Sequence, residues 1–320
     1  MTRILTRSDL LAVLDPAACL EALADGFRTV AAAAGAAGQR VRTDLPFAGT
    51  ATALLPGLLP GVPAYTVKVN AKFPGAAPAL RGVVCLHAGA DGELLALLDS
   101  ATLTAWRTGL AAALGTHVLA APDPAGDAVL GVVGAGAQAD LMVAGLRRVR
   151  TFREIVVHDT DPARAGAFAA RHGGRTGGRV LDSARTVAAA ADVVLLATWA
   201  RDPLLSLADT RPGQHLTSLG ADEPGKRELA PDLLRASFLV VDDLALAAAS
   251  GAPATAGLPA SAVDAVLGDV LRGARPGRTG PGDLTVYAPV GLPWQDLAVA
   301  WWAYRTAAER GLGTVVDLLG

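Results

Sequence analysis

The segment Val129-Leu130-Gly131-Val132-Val133 runs directly into Gly134-Ala135-Gly136-Ala137-Gln138-Ala139, then through a helical stretch to Glu154-Ile155-Val156-Val157-His158-Asp159. This reads as strand, glycine turn, helix, strand, acid. Two apolar strands joined through one helix fit the βαβ unit of a doubly wound fold. Within the turn, Gly134 permits a tight reversal, Gly136 lets the backbone approach a bulky anion, and Ala139 allows helix to pack closely on strand. An anion fits at a helix N-terminus, and an acid about 20 residues further on can accept a ribose 2′-hydroxyl. With 36 glycines in the chain, no single glycine carries this reading. The register of strand, turn, helix and acid does, and it predicts a dinucleotide site. A carboxylate at Asp159 repels a 2′-phosphate, and its neighbours His158, Thr160, Asp161 and Pro162 include no arginine to receive one, so NAD is expected over NADP.

With 320 residues the chain has room for two domains. A formal net charge of −2 and no basic stripe exclude nucleic acid as an expected partner. Cys19 and Cys85 lack C-x-x-C spacing and sit in apolar sequence, as reduced thiols of a cytoplasmic protein do. The N-terminus lacks the apolar core of a signal peptide, and no run has the character of a membrane span. The five histidines show no ligand spacing, so no metal site is expected.

About 120 residues precede the nucleotide fold and form a second domain, by the following signals. Helical periodicity covers Asp9 to Ala34, with Asp15-Pro16 as a cap and first turn. Ala64 to Phe73 alternates strictly, with Tyr65, Val67, Val69, Ala71 and Phe73 on one face and Thr66, Lys68, Asn70 and Lys72 on the other. Two apolar runs around Ala88-Gly89-Ala90-Asp91-Gly92 read as a hairpin, hence an antiparallel sheet. A helix from Asp99 to about Ala120 carries Leu103, Trp106, Leu110 and Leu114. Further strands of the doubly wound fold fit at 192–197, 215–219 and 238–242, with a weak one at 179–181. The last helix, Leu292 to about Arg310, is rich in aromatics and suits docking on the first domain or on a partner subunit.

Several polar residues have two readings. Arg107 lies beside Trp106 near an apolar helix face, so it binds an anion or forms a structural salt bridge. Lys68 is a functional lysine or a solvated strand charge, and Arg40 and Arg42 are ligands or surface charges. Asp222 follows a strand at the carboxyl edge of the sheet, where ligands of doubly wound folds bind, and either acts there or caps a turn. Thr198 ends a strand in the same way, as a cofactor contact or a strand-end cap.

Taken in order, Val67-Lys68-Val69-Asn70-Ala71-Lys72-Phe73-Pro74-Gly75, Leu103-Thr104-Ala105-Trp106-Arg107-Thr108-Gly109, the glycine turn, Gly220-Ala221-Asp222-Glu223-Pro224-Gly225-Lys226-Arg227-Glu228-Leu229 and Val290-Gly291-Leu292-Pro293-Trp294-Gln295-Asp296-Leu297-Ala298 resemble the ornithine cyclodeaminase/mu-crystallin family. The resemblance spans nearly the whole chain. It implies an α/β protein with a Rossmann-type doubly wound NAD-binding domain, 122–283, inserted into an α+β substrate-binding and dimerisation domain, 1–121 with 284–320, and a homodimer. Implied roles are a catalytic lysine at Lys68, carboxylate arginines at Arg107 and Arg42, with Arg40 the substitute for Arg42, and a proton-exchanging acid at Asp222. Cofactor contacts fall at Thr108, Gly134, Gly136, Ala137, Gln138, Asp159, Thr198 and Gly220.

The chemistry implied is hydride transfer between NAD and the Cα of an amino or imino acid, in an imine reductase or amino-acid dehydrogenase. The alternatives are a cyclodeaminase acting on ornithine or lysine, which releases ammonia, and a catalytically weak binding protein. Ala53 stands where the cyclodeaminases carry a glutamate, which counts against a diamino substrate, and the intact set of Lys68, Arg107 and Asp222 counts against the binding protein. Ala76 and Pro293 also depart from the commoner family residues, with no assigned effect.

Overall fold

Local capping divides the N-terminal segment. The computed structural model describes the chain except residues 33–38, 47–48, 74–75, 77, 174, 222–224 and 319; for 31–32, 39–40, 42, 44 and 50–55 it describes the backbone alone. Strand β1 (Thr2–Leu5) leads to helix α1 (Arg7–Val13), opened by a capping box between Thr6 and Asp9. The helical periodicity read from Asp9 to Ala34, whose last two residues lie outside the described ones, is two helices, the second opening at the expected cap and first turn, Asp15-Pro16. Pro16 disfavours helical geometry in the residue before it, so α1 ends and α2 (Pro16–Ala32) starts afresh, with the Asp15 carboxylate accepting from Ala18 N. Strands β2 (Gln39–Asp44), β3 (Thr50–Gly57), β4 (Ala64–Lys72), β5 (Leu80–Ala88) and β6 (Leu94–Asp99) follow, then helix α3 (Ser100–Leu119). The expected hairpin is β5–β6, antiparallel.

The nucleotide-fold elements come next: β7 (Val129–Val133), α4 (Ala137–Val149), β8 (Glu154–His158), α5 (Pro162–His172), β9 (Gly178–Val180), α6 (Ala184–Ala190), β10 (Val193–Leu196) and β11 (His215–Ser218). They continue as α7 (Pro231–Ala236), β12 (Phe238–Val241), α8 (Leu244–Ser250), α9 (Ala252–Thr255), β13 (Ala265–Val266), α10 (Leu267–Leu271) and β14 (Thr285–Tyr287). The chain closes with α11 (Pro293–Arg310) and β15 (Thr314–Val316). Two units result, Met1–Thr108 with Leu292–Gly320, and Gly109–Gly291.

The first unit holds a seven-stranded sheet ordered β15-β1-β6-β5-β4-β3-β2, antiparallel apart from β1 against β6. Its strand β4 alternates as the sequence predicts, but the polar face is the buried one. Thr66, Lys68 and Asn70 are buried, whereas Val69 on the apolar face is 48% exposed. The polar side chains find partners in the helices: Ser100 of α3 donates to the Asn70 carbonyl, and Lys68 pairs with α11. Helix α11 docks by its first turns, where Trp294 is buried edge-on to Phe27 at 4.9 Å. A side chain at Gly26 would collide with the Trp294 ring, so the glycine admits the indole.

The second unit is an eight-stranded, fully parallel sheet ordered β13-β12-β14-β11-β10-β7-β8-β9. Its central strands are buried along their whole length, as a parallel sheet covered on both faces requires. The strand order reverses between β7 and β10, and the carboxyl ends of the strands at such a reversal are where ligands of doubly wound sheets bind. Strand β14 was not expected: three residues after a Gly- and Pro-rich loop show no periodicity, and the sequence reading ends the nucleotide domain before them. It lies between β11 and β12, in the middle of the sheet. Arg278 secures the approach to it, donating to Leu119 O, Asp283 O, Gln214 O and Thr285 Oγ1.

His215 in β11 is fully buried between Thr285 Oγ1 at 2.8 Å and Thr217 Oγ1 at 2.9 Å. Burial, helped by the charges of Arg278 and Arg150, pulls its pKa down to about 3. Below the ordinary histidine value the unfolded chain takes up a proton that the folded one refuses. Stability should therefore fall by about 1.4 kcal/mol per pH unit from pH ~6.5 downward through this group. Urea titrations of wild type and His215→Gln over pH 4–7 should differ by that slope; parallel curves would remove His215 from the acid response.

Candidate functional site

Both units carry candidate functional residues. In the second, the β7–α4 turn has the backbone that the glycine pattern demands. Gly134 adopts φ +89°, and a Cβ there would lie 2.6 Å from Ala197 O. Gly136 caps α4 in extended conformation without a side-chain cap bond, and a Cβ at this position would meet nothing within 4 Å. Open space over a bare helix N-terminus is what a pyrophosphate needs, and Ala137 and Gln138 form the helix's first turn. Ala139 is completely buried. The residues present thus fit a dinucleotide.

Asp159, immediately after β8, is locked to that turn: Oδ2 accepts from Ala135 N at 2.8 Å and Oδ1 from Asp161 N at 2.8 Å. One sequence argument fails here. No arginine was expected beside this acid, yet Arg164 Nη2 lies 3.1 Å from Asp159 Oδ1. Asp161 caps α5, and the first helical turn brings residue 164 back over residue 159.

At the carboxyl ends of β10 and β11 stands a residue that carried no assigned role, Glu228. It is wholly buried, and its carboxylate accepts from Thr198 N, Thr198 Oγ1, Ser218 Oγ and Gly220 N, each at 2.7 Å. Burial raises its pKa, against the pull of these four bonds. The amide N–H groups of Thr198 and Gly220 and the Thr198 hydroxyl are thereby committed to Glu228, which ties the two strand ends together. Beside them Trp199 is 57% exposed, with Lys226 Nζ 4.2 Å over its ring. Asp222 lies outside the described residues.

In the first unit, Lys68 is 2% exposed, which removes the reading of it as a solvated strand charge. Its Nζ lies 2.6 Å from Asp296 Oδ2 and 3.5 Å from Thr104 Oγ1. Arg107 is likewise buried; Nε lies 3.3 Å from Asp296 Oδ1, and Nη1 donates to Gln295 Oε1 at 3.3 Å. A strand lysine and a helix arginine therefore meet at one carboxylate. The signal for Asp296 was present but unused: an acid between a tryptophan and a leucine in an apolar first turn. Thr108 follows on α3, its hydroxyl buried without a hydrogen-bond partner among the described residues.

For Arg40 and Arg42 only the backbone is described. Register places Arg42 opposite Thr52 and Thr52 opposite Asn70, while Arg40, Leu54 and Lys68 form the row two residues along. Ala53 pairs with Val69 and not with Lys68. The argument that a missing carboxylate at residue 53 disfavours a diamino substrate therefore gains no support from the register.

The family model of the ornithine cyclodeaminase/mu-crystallin family matches residues 2–311. The ketimine reductase mu-crystallin of Mus musculus is 31% identical over 83% of this chain and 84% of its own. Among solved structures, an archaeal alanine dehydrogenase dimer with bound NAD superposes with TM-score 0.91 at 27% identity, covering 99% of both chains. The Δ1-pyrroline-2-carboxylate reductase of Thermococcus litoralis, in complex with NADH and L-proline, does so with TM-score 0.90 at 26% identity, over 98% of this chain and 100% of the other. The glycine turn with its acid, the buried lysine and arginine, and a match running from the first strand to the last helix make this chain a member of the ornithine cyclodeaminase/mu-crystallin family.

Proposed function

We propose that the chain is an NAD-dependent oxidoreductase of α-amino or cyclic imino acids, an imine reductase or amino-acid dehydrogenase. The observation that carries this reading is the convergence of two buried cations, Lys68 and Arg107, on Asp296. Cations are buried at such cost only where anions meet them, and a pair set side by side suits the carboxylate of an amino acid. Bound NAD supplies or accepts the hydride at the substrate Cα. Gly134, Gly136, Ala137, Gln138 and Asp159 hold the dinucleotide, with Thr108, Thr198 and Gly220 completing its surroundings. Arg107, Lys68 and Arg42 hold the substrate carboxylate, and Lys68 or Asp222 passes a proton to or from the substrate nitrogen. Asp296 keeps the lysine and arginine in place.

The roles expected for 122–283 and for 1–121 with 284–320 pass to the two units that form: Gly109–Gly291, which includes β14, binds the dinucleotide, and Met1–Thr108 with Leu292–Gly320 binds substrate and builds a homodimer. The outward face of the first sheet supports the second role. Val41 and Val69 are 46% and 48% exposed, beside the half-buried Val67, Val83 and Cys85 and a stacked Tyr65–His87 pair. A contiguous apolar sheet face of this kind is normally covered by a partner.

The first test is NADH absorbance with purified protein and Δ1-pyrroline-2-carboxylate, or 2-oxo acids plus ammonia, alongside ammonia release from ornithine and lysine. Net NADH consumption is expected; ammonia release at constant NADH would instead make the protein a cyclodeaminase. Lys68→Ala should lower turnover by about a hundredfold or more while leaving the NADH dissociation constant near wild type. Unchanged turnover would take Lys68 out of the reaction. Asp296→Asn should cost about 3–5 kcal/mol in urea unfolding, because it strips two buried cations of their shared anion; a loss below about 1 kcal/mol would mean the pair is held by other groups. Sedimentation velocity should show a dimer that Val69→Asp dissociates, and a wild-type monomer would end the dimer reading.

A further inference from the structure

We infer that Arg164 is a specificity residue on the adenosine side of the dinucleotide site, and that it lets the site take a 2′-phosphorylated dinucleotide as well as NAD. The inference rests on the dinucleotide reading above and goes beyond it.

A free carboxylate at the end of the second strand discriminates in two ways: it accepts the ribose hydroxyls, and its charge repels a 2′-phosphate. Here both effects are blunted. Asp159 Oδ1 is engaged by Asp161 N at 2.8 Å and by Arg164 Nη2 at 3.1 Å, which leaves Oδ2, bonded to Ala135 N, as the freer acceptor. The guanidinium also offsets the acid's charge.

Arg164 is free to change partners and Asp159 is not. The Asp159 side chain is 8% exposed and held by two backbone amides, whereas the Arg164 side chain is 52% exposed. Its second contact, Asp161 Oδ2 at 3.9 Å, is weak. A 2′-phosphate arriving at the ribose edge can therefore draw the guanidinium from Asp159 into a charge-assisted, two-point contact. The acid it leaves behind remains satisfied by Ala135 and Asp161. With an unphosphorylated dinucleotide the pair stays closed and Oδ2 serves the ribose. Asp161, whose Oδ1 caps α5, remains as a negative charge nearby, so NADH keeps an advantage and NADPH is admitted behind it.

The experiment is fluorescence titration of the full chain with NADH and with NADPH, followed by the same titrations of Arg164→Ala and Arg164→Lys. Wild type should bind NADPH within about tenfold of NADH, Arg164→Ala should weaken NADPH by about tenfold or more and NADH by less than about twofold, and Arg164→Lys should recover part of the loss. Rejection of NADPH by wild type by more than about a hundredfold would overturn the inference while leaving the NAD site intact, and so would equal weakening of both cofactors in Arg164→Ala. Binding of neither dinucleotide by folded wild-type protein would strike down the dinucleotide reading itself, and this inference with it.

Discussion

The carboxylate of Asp296 joins parts of the chain that lie far apart in sequence. It pairs with Lys68 of a central strand and Arg107 of a helix, from the first turn of a helix 189 residues beyond that arginine. The unit Met1–Thr108 with Leu292–Gly320 is built from two separate pieces, and this buried ion cluster spans both. Any of the three charges left alone in that interior would cost several kcal/mol. The last helix must therefore return to the first sheet before the ion cluster exists, and the burial of Trp294 against Phe27 provides the apolar drive for that return.

Carboxylates organise the second unit in a similar way. Glu228 collects four donors from the ends of β10 and β11, and Asp159 ties the end of β8 to the glycine turn. Asp242, buried at the end of β12, accepts from Val290 N at 3.0 Å and from Gly291 N. All three sit at the carboxyl edge of the parallel sheet, where backbone N–H groups are left without ladder partners. A buried acceptor with two oxygens satisfies such groups and fixes the loops that a ligand must meet.

Much of this was legible in the chain itself. The glycine turn and its acid, the alternation of β4, the β5–β6 hairpin and the apolar strands are short-range patterns, and each appears where expected. What failed depended on long-range placement. The apolar stripe of β4 looks like the core side, yet the polar side is buried because α3 and α11 bring Ser100 and Asp296 to it. Strand β14 is too short to show a period, and a βαβ reading has no means of inserting it between β11 and β12. Arg164 is not a sequence neighbour of Asp159: it stands five residues on, and only the first turn of α5 brings it back to the acid.

By itself, then, the sequence determined that there is a parallel sheet of Rossmann type, where its glycine turn lies and which acid closes the second strand, since these follow from contacts between residues close along the chain. Tertiary structure alone decided which face of β4 is interior, that Lys68 and Arg107 share Asp296, and that Arg164 tempers Asp159. The physical reason is that the cost of a buried charge depends on its partner, and the partner is chosen by how distant elements pack, which no local pattern records.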